Sequence, residues 1–172
     1  MKLMSNLYDY RDYDKNLNLK VSFGLWLVIL YLLRPYILMI STIRMGPGAG
    51  TVKGVDGLKQ IIYPDDFSLT LGILATLPAL LFVIAWTRRT PTAGGFVRNV
   101  WRNGVLMLSI AVLLNIVIIF VPILTGVISR IHMLGWLQII LSLIVLAYLL
   151  FSQRVKDTFA DFPAEEKKST GT

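Results

Sequence analysis

Cysteine is missing from all 172 residues, which rules out disulfides, thiolate metal sites and cysteine nucleophiles. Histidine occurs once, at His132, so a multi-histidine metal centre is excluded as well. Charge is scarce: charged residues make up 16% of the chain against 55% hydrophobic residues, where a soluble domain carries about 25% charged residues. The scarcity is uneven, because the four long apolar runs contain no Asp or Glu at all. Without buried carboxylates a proton-relay pump lacks the titratable groups its path needs. No carboxylate, His or Ser cluster recurs at a common depth either, so the sequence predicts no enzyme and no cofactor.

What is present is apolar and bunched. The mean hydropathy is +0.67, and runs of this length need a bilayer rather than a small core. The first run covers 21–43 and is interrupted by Arg34 and Pro35. As a helix it is about 35 Å long, enough to cross a hydrocarbon core of about 30 Å. Asp9, Asp12 and Asp14 ahead of it are foreign to a cleavable signal peptide. The second run is 69–86, with Asp65 or Asp66 placed to cap its start and Thr87-Arg88-Arg89 at its end. The third covers about 104–129 and the fourth about 133–151, separated by a tight turn at Ser129–His132. The expected fold is an all-α membrane protein: a bundle of four transmembrane helices with short loops, occupying 21–151 between an N-terminal segment (1–20) and a partly disordered tail (152–172). In that tail Val155, Phe159 and Phe162 have helical spacing and are expected to lie on the membrane surface.

Orientation follows from Lys and Arg. With four spans, the N-terminal segment, the second loop and the tail share one side. They carry Lys2, Arg11, Lys15 and Lys20, then Arg88, Arg89, Arg98 and Arg102, then Arg154, Lys156, Lys167 and Lys168. The other side carries Arg44, Lys53, Lys59 and Arg130. The positive-inside rule then puts both termini in the cytoplasm of a bacterial-type inner membrane. The net charge of +7 is absorbed by this topology, so nucleic acid is not an expected partner. The expected partners are the lipid bilayer and a membrane-protein subunit or a second copy of the chain.

Helices in lipid associate through close packing and a few polar contacts. Ser68, Gly72, Ala75 and Ala79 form a stripe of small side chains on the second run, predicting a packing face at Gly72, Ala75 and Ala79. The same arithmetic groups Gly104, Ala111, Asn115, Pro122, Thr125 and Ser129 on the third, Gly135, Gln138 and Ser142 on the fourth, and Gly24, Tyr31, Arg34 and Ser41 on the first. Arg34 lies close to the middle of its run, where insertion of Arg costs about 2.5–3.5 kcal/mol. No acid is available to pair with it inside the spans. Asn115 and Gln138 are the expected amide partners, together with the Tyr31 carbonyl that Pro35 leaves without a donor.

Three motif fragments fail on spacing. Met45–Lys53 is Gly-rich, but Val52 precedes Lys53 and Gly54 follows it, so the phosphate-loop pattern is broken and an exit loop is expected. Asp12–Asn18 opens like a calcium loop, yet Leu17 replaces the turn glycine and Phe23 the closing Glu. His132 sits in the outer turn with no nucleophile or carboxylate beside it.

The leader Leu7-Tyr8-Asp9-Tyr10-Arg11-Asp12-Tyr13-Asp14, with Leu19-Lys20-Val21, Leu25-Trp26-Leu27 and Tyr31-Leu32-Leu33-Arg34-Pro35, resembles the opening of the YfeZ-like family of small bacterial inner-membrane proteins, a domain of unknown function. The resemblance covers roughly the first forty residues and implies location and span count, with no functional residues. From the residues themselves the expected role is a non-enzymatic accessory or assembly subunit of an envelope complex. The alternative is a small transporter or channel component for an anionic or neutral solute, using Arg34, Asn115 and Gln138. A cavity reaching Arg34 separates the two.

Overall fold

The computed structural model describes residues 21–42, 55–90, 92–160 and 162. The expected N-terminal segment, the Gly-rich exit loop at 45–53 and the polar tail beyond 162 lie outside the described residues. Among the described residues every regular element is a helix: α1 (Phe23–Leu32), α2 (Arg34–Thr42), α3 (Val55–Ile62), α4 (Asp66–Ala75), α5 (Leu77–Thr87), α6 (Gly95–Arg102), α7 (Gly104–Leu124), α8 (Met133–Phe151) and α9 (Gln153–Ala160). Helices α7 and α8 are each long and apolar enough to cross a membrane, and the pairs α1–α2 and α4–α5 pass the same test when each bent pair is taken as one.

Both bends have identifiable causes. Ser22 starts α1 by accepting from the Leu25 N–H at 3.3 Å. Pro35 offers no N–H and its ring obstructs the preceding turn. So α1 ends at Leu32, and α2 restarts with Pro35 in its first turn, where a missing donor is harmless; the axis turns by 55°. The second run is not the straight helix over 69–86 that its hydropathy suggests. It begins at Asp66, ends at Thr87 and bends by 41° about Thr76. Asp65 caps its start, accepting from the Ser68 N–H at 2.9 Å and the Ser68 hydroxyl at 2.7 Å. At the bend Pro78 removes a donor and Thr76 Oγ1 donates back to the Gly72 carbonyl at 2.8 Å, two features that bend helices. The Tyr36 hydroxyl donates to the Ile73 carbonyl at 2.9 Å, tying the first broken pair to the second beside both breaks.

Helix α7 stops at Leu124, five residues short of the expected 129. Thr125 Oγ1 turns back onto the Val121 carbonyl at 3.0 Å, and Gly126 takes a φ of +74°, a left-handed conformation that suits glycine after a helix. Thr125 and Ser129 are therefore exposed in the connection rather than on the packing stripe.

Helix α7 is the centre of the bundle, in contact with α4, α5, α6, α8 and α9. Leu25, Val28, Ile29 and Leu32 of α1 join Ala79 and Phe82 of α5 and Leu108, Ala111 and Val112 of α7 in the main core. In α1 the core stripe lies beside Gly24 and Tyr31, which are half-buried and meet Tyr148 and Ser142 of α8. Helix α9 does not lie on the surface as its spacing suggested. Val155 and Phe159 are buried, and Phe159 fills the slot left by the missing side chain of Gly104, against Phe82 and Trp101 at centroid distances of 5.3 and 5.4 Å. The outer faces of α7 and α8 expose Leu106, Ile110, Leu113, Val117, Leu137, Ile140 and Ile144. Apolar surface on that scale matches acyl chains and not water.

Candidate functional site: the Arg34 pocket

The break at Leu33 delivers Arg34 to the seam between α7 and α8. Its Nη2 donates to Asn115 Oδ1 at 3.2 Å. Asn115 Nδ2 donates to the Ala111 carbonyl at 3.1 Å, which holds Oδ1 towards the guanidinium. With the Gln138 amide turned so that its oxygen faces Arg34, the orientation that satisfies both groups, it accepts from Nη1 at 2.9 Å and also from Nη2. The guanidinium carbon lies 4.5 Å from the centre of the Tyr31 ring. That ring is fixed by its hydroxyl, which donates to the Gln138 carbonyl at 3.1 Å and shares a hydrogen bond with Ser142 Oγ at 2.6 Å. The sequence pointed to the Tyr31 carbonyl; the contact is with the ring face. Interhelical hydrogen bonds in lipid contribute about 0.6–1.7 kcal/mol each and a cation–π contact about 0.5–2 kcal/mol. Together they are comparable with the insertion cost of about 2.5–3.5 kcal/mol for the Arg.

These contacts satisfy hydrogen bonds but do not cancel the charge, since both amides are neutral. Arg34 also lines a small, partly open pocket with room for about one or two waters. The walls come from the end of α3 and the Tyr63–Pro64 turn, the C-terminal half of α7, the 125–132 connection and the start of α8. Among the described residues the lining holds Arg34 and His132 and no carboxylate; six of the other members are isoleucine. His132 occupies the N-cap position of α8 without a side-chain cap bond and is exposed.

Tyr63 is the member that the sequence reading missed. It is 3% exposed, with its hydroxyl buried against the Arg34 side chain. Burial pushes its phenol above the ordinary value of 10.0, while the neighbouring Arg34, by its charge and by a hydrogen bond, pulls the other way. The hydroxyl therefore keeps its proton near neutrality and remains a donor. The ring is seated on Gly72: a Cβ there would come within 2.8 Å of Tyr63 Cε1. Lys59 pairs with Asp66 at 3.0 Å across this turn, a surface contact of about 0–1 kcal/mol.

The structure thus brings Arg34, Asn115 and Gln138 together. The small residues of the second run are buried but serve different purposes. Gly72 receives the Tyr63 ring, Ala75 belongs to a second apolar cluster with Tyr63, Leu69 and Ile118, and Ala79 belongs to the main core. The signal for Tyr63 was present in the sequence as an aromatic just before the Asp65 cap, nine residues ahead of the stripe glycine Gly72.

No curated protein and no solved structure matches the chain. One family model does, over residues 8–161, which includes every element described above. The chain belongs to the family described as "Protein of unknown function (DUF2919)".

Proposed function

We propose that this is a four-span inner-membrane protein with both termini in the cytoplasm, and that it binds a small anionic solute from the outer face as the binding part of a transporter or channel. The two bent pairs count as one span each in this reading. The Lys and Arg asymmetry sets the orientation, and the YfeZ-like leader points to the same membrane. The pocket is lined by the α7–α8 connection, which then faces outward. One observation carries the functional reading: among the described residues the guanidinium is met by neutral groups and sits in a pocket without a carboxylate. A lone positive charge at membrane depth attracts an anion. No catalytic role is assigned. In the assembly-subunit reading the same charge is met by a partner protein's acid instead.

The test is thermal unfolding of the purified full-length chain in detergent, with chloride, sulfate, phosphate and acetate added at matched ionic strength. At least one anion should raise Tm in the wild type and leave Arg34→Gln unmoved, because a ligand that binds only the folded state stabilises it by mass action. Equal response of both proteins to every anion would remove the reading, and co-purification of an acidic membrane partner that Arg34→Gln loses would favour the assembly role.

A further inference from the structure

The end of the molecule away from Arg34 carries charge of nearly one sign. Between Asp66 and Asp157 the sequence holds no Asp or Glu. In that stretch Arg88, Arg89, Arg98, Arg102, Arg154 and Lys156 fall just after α5, on α6 and on α9. These segments are neighbours, since α6 packs against both α5 and α9. Arg89 stacks on the Trp101 ring at 4.3 Å and Arg98 on the Phe162 ring at 5.3 Å. Helix α6 turns Val100 and Trp101 inward and leaves Phe96, Arg98, Asn99 and Arg102 outside. Arg88 and Lys156 are exposed as well, and Asp157 is the one acid at this end among the described residues. Aromatic side chains fix the depth of this basic collar. Trp86, two residues before Arg88, meets Trp26 edge-on with ring centres 4.5 Å apart. Ser22, at the start of α1, shares a hydrogen bond of 2.9 Å with Tyr148 near the end of α8, so Phe23, Trp26 and Phe151, all exposed, belong to the same end. Exposed aromatics at span ends sit where hydrocarbon gives way to headgroups, which puts the collar among the lipid phosphates.

We propose that this end selects anionic phospholipid over zwitterionic lipid, with phosphodiester headgroups on Arg88, Arg102 and Lys156 and acyl chains against the exposed aromatics. A guanidinium engages two phosphate oxygens at once, and each Lys or Arg at an anionic surface strengthens binding about fivefold. The cations adjoin apolar spans, so lipid is the anion already beside them; a soluble phosphate would leave the aromatics without a partner. The inference is independent of what Arg34 binds and of which way this end faces.

Tryptophan fluorescence reports on this end directly. Trp136 is exposed in the first turn of α8, at the other end, and Trp136→Phe leaves Trp26, Trp86 and Trp101 as the fluorophores. The full-length Trp136→Phe chain, reconstituted in phosphatidylcholine, should be titrated with acyl-brominated phosphatidylglycerol or acyl-brominated phosphatidylcholine. Phosphatidylglycerol should quench at the lower mole fraction, with an association about fivefold or more above that of phosphatidylcholine, and sodium chloride should erode the difference. Replacing Arg88, Arg102 and Lys156 together by Gln should bring the two lipids level, while Arg130→Gln, in the α7–α8 connection, should leave the preference intact. The salt series is read without the triple substitution, so it decides the matter even if that variant fails to fold. Equal quenching by both lipids at low salt, a preference indifferent to salt, one that survives the triple substitution, or one lost equally in Arg130→Gln overturns the proposal. A preference abolished by inorganic phosphate, but not by sodium chloride at the same ionic strength, overturns the lipid in favour of a soluble phosphate ligand.

Discussion

Arg34 shows how a chain can place a full charge among apolar helices with no acid among the described residues to meet it. The guanidinium is planar and offers five donors in fixed directions, and three of its contacts use that plane: Asn115, Gln138 and the face of Tyr31. A lysine offers a compact ammonium that cannot hold two amides and an aromatic face in the same geometry. Arg34→Leu is therefore expected to insert as well as the wild type or better, since the cost of the charge disappears, while losing the anion-dependent rise in Tm. Arg34→Lys should recover little of that rise. Membrane abundance and Tm with and without added anion, measured side by side, check both. Full recovery in Arg34→Lys would mean that a point charge suffices and that the forked contacts are incidental.

At the scale of elements, glycines receive aromatic rings from neighbouring segments. Gly72 receives Tyr63, Gly104 receives Phe159, and Gly24 faces the Tyr148 ring. Gly72→Leu should displace Tyr63 and destabilise the fold by about 1–3 kcal/mol, the usual range for overpacking. Leu71→Ile, next to it on a half-buried position, should cost less than about 1.5 kcal/mol as a volume-conserving change. Tm of the two variants in one detergent distinguishes them, and equal losses would contradict the ring-in-slot packing. The same positions show what was legible beforehand. The stripe arithmetic found Gly72, Ala75 and Ala79 as inward residues, and helical spacing grouped Asn115 and Gln138 with the polar faces, because periodicity reports which side is turned inward. It could not report what fills the inward side. Tyr63 comes from outside any apolar run, and Phe159 from a helix whose short amphipathic pattern fits a membrane surface equally well. The bends were only partly readable. Arg34 and Pro35 marked the first, whereas the second depends on Thr76 folding back onto Gly72 near Pro78, a local bond that hydropathy does not register. Likewise the end of α7 is set by Gly126 and Thr125, not by hydropathy, which stays high through Ile128.

The molecule as a whole has two unlike ends. At one, α6 and α9 close over Trp101 and Phe159, with Arg89 stacked at 4.3 Å from the Trp101 ring centre. At the other, the α7–α8 connection and the end of α3 surround the opening above Arg34. A solute reaches Arg34 from outside only if the second end faces outward, so topology and function stand or fall together. The absence of cysteine makes the measurement clean. Single-cysteine variants His132→Cys, at the exposed pocket mouth, and Thr92→Cys, exposed between α5 and α6, can be treated with a membrane-impermeant thiol reagent before and after lysis. The expected result is labelling of His132→Cys in intact cells and of Thr92→Cys only after lysis. Labelling of Thr92→Cys in intact cells with His132→Cys protected would turn the pocket to the cytoplasm and contradict an outward-facing anion site.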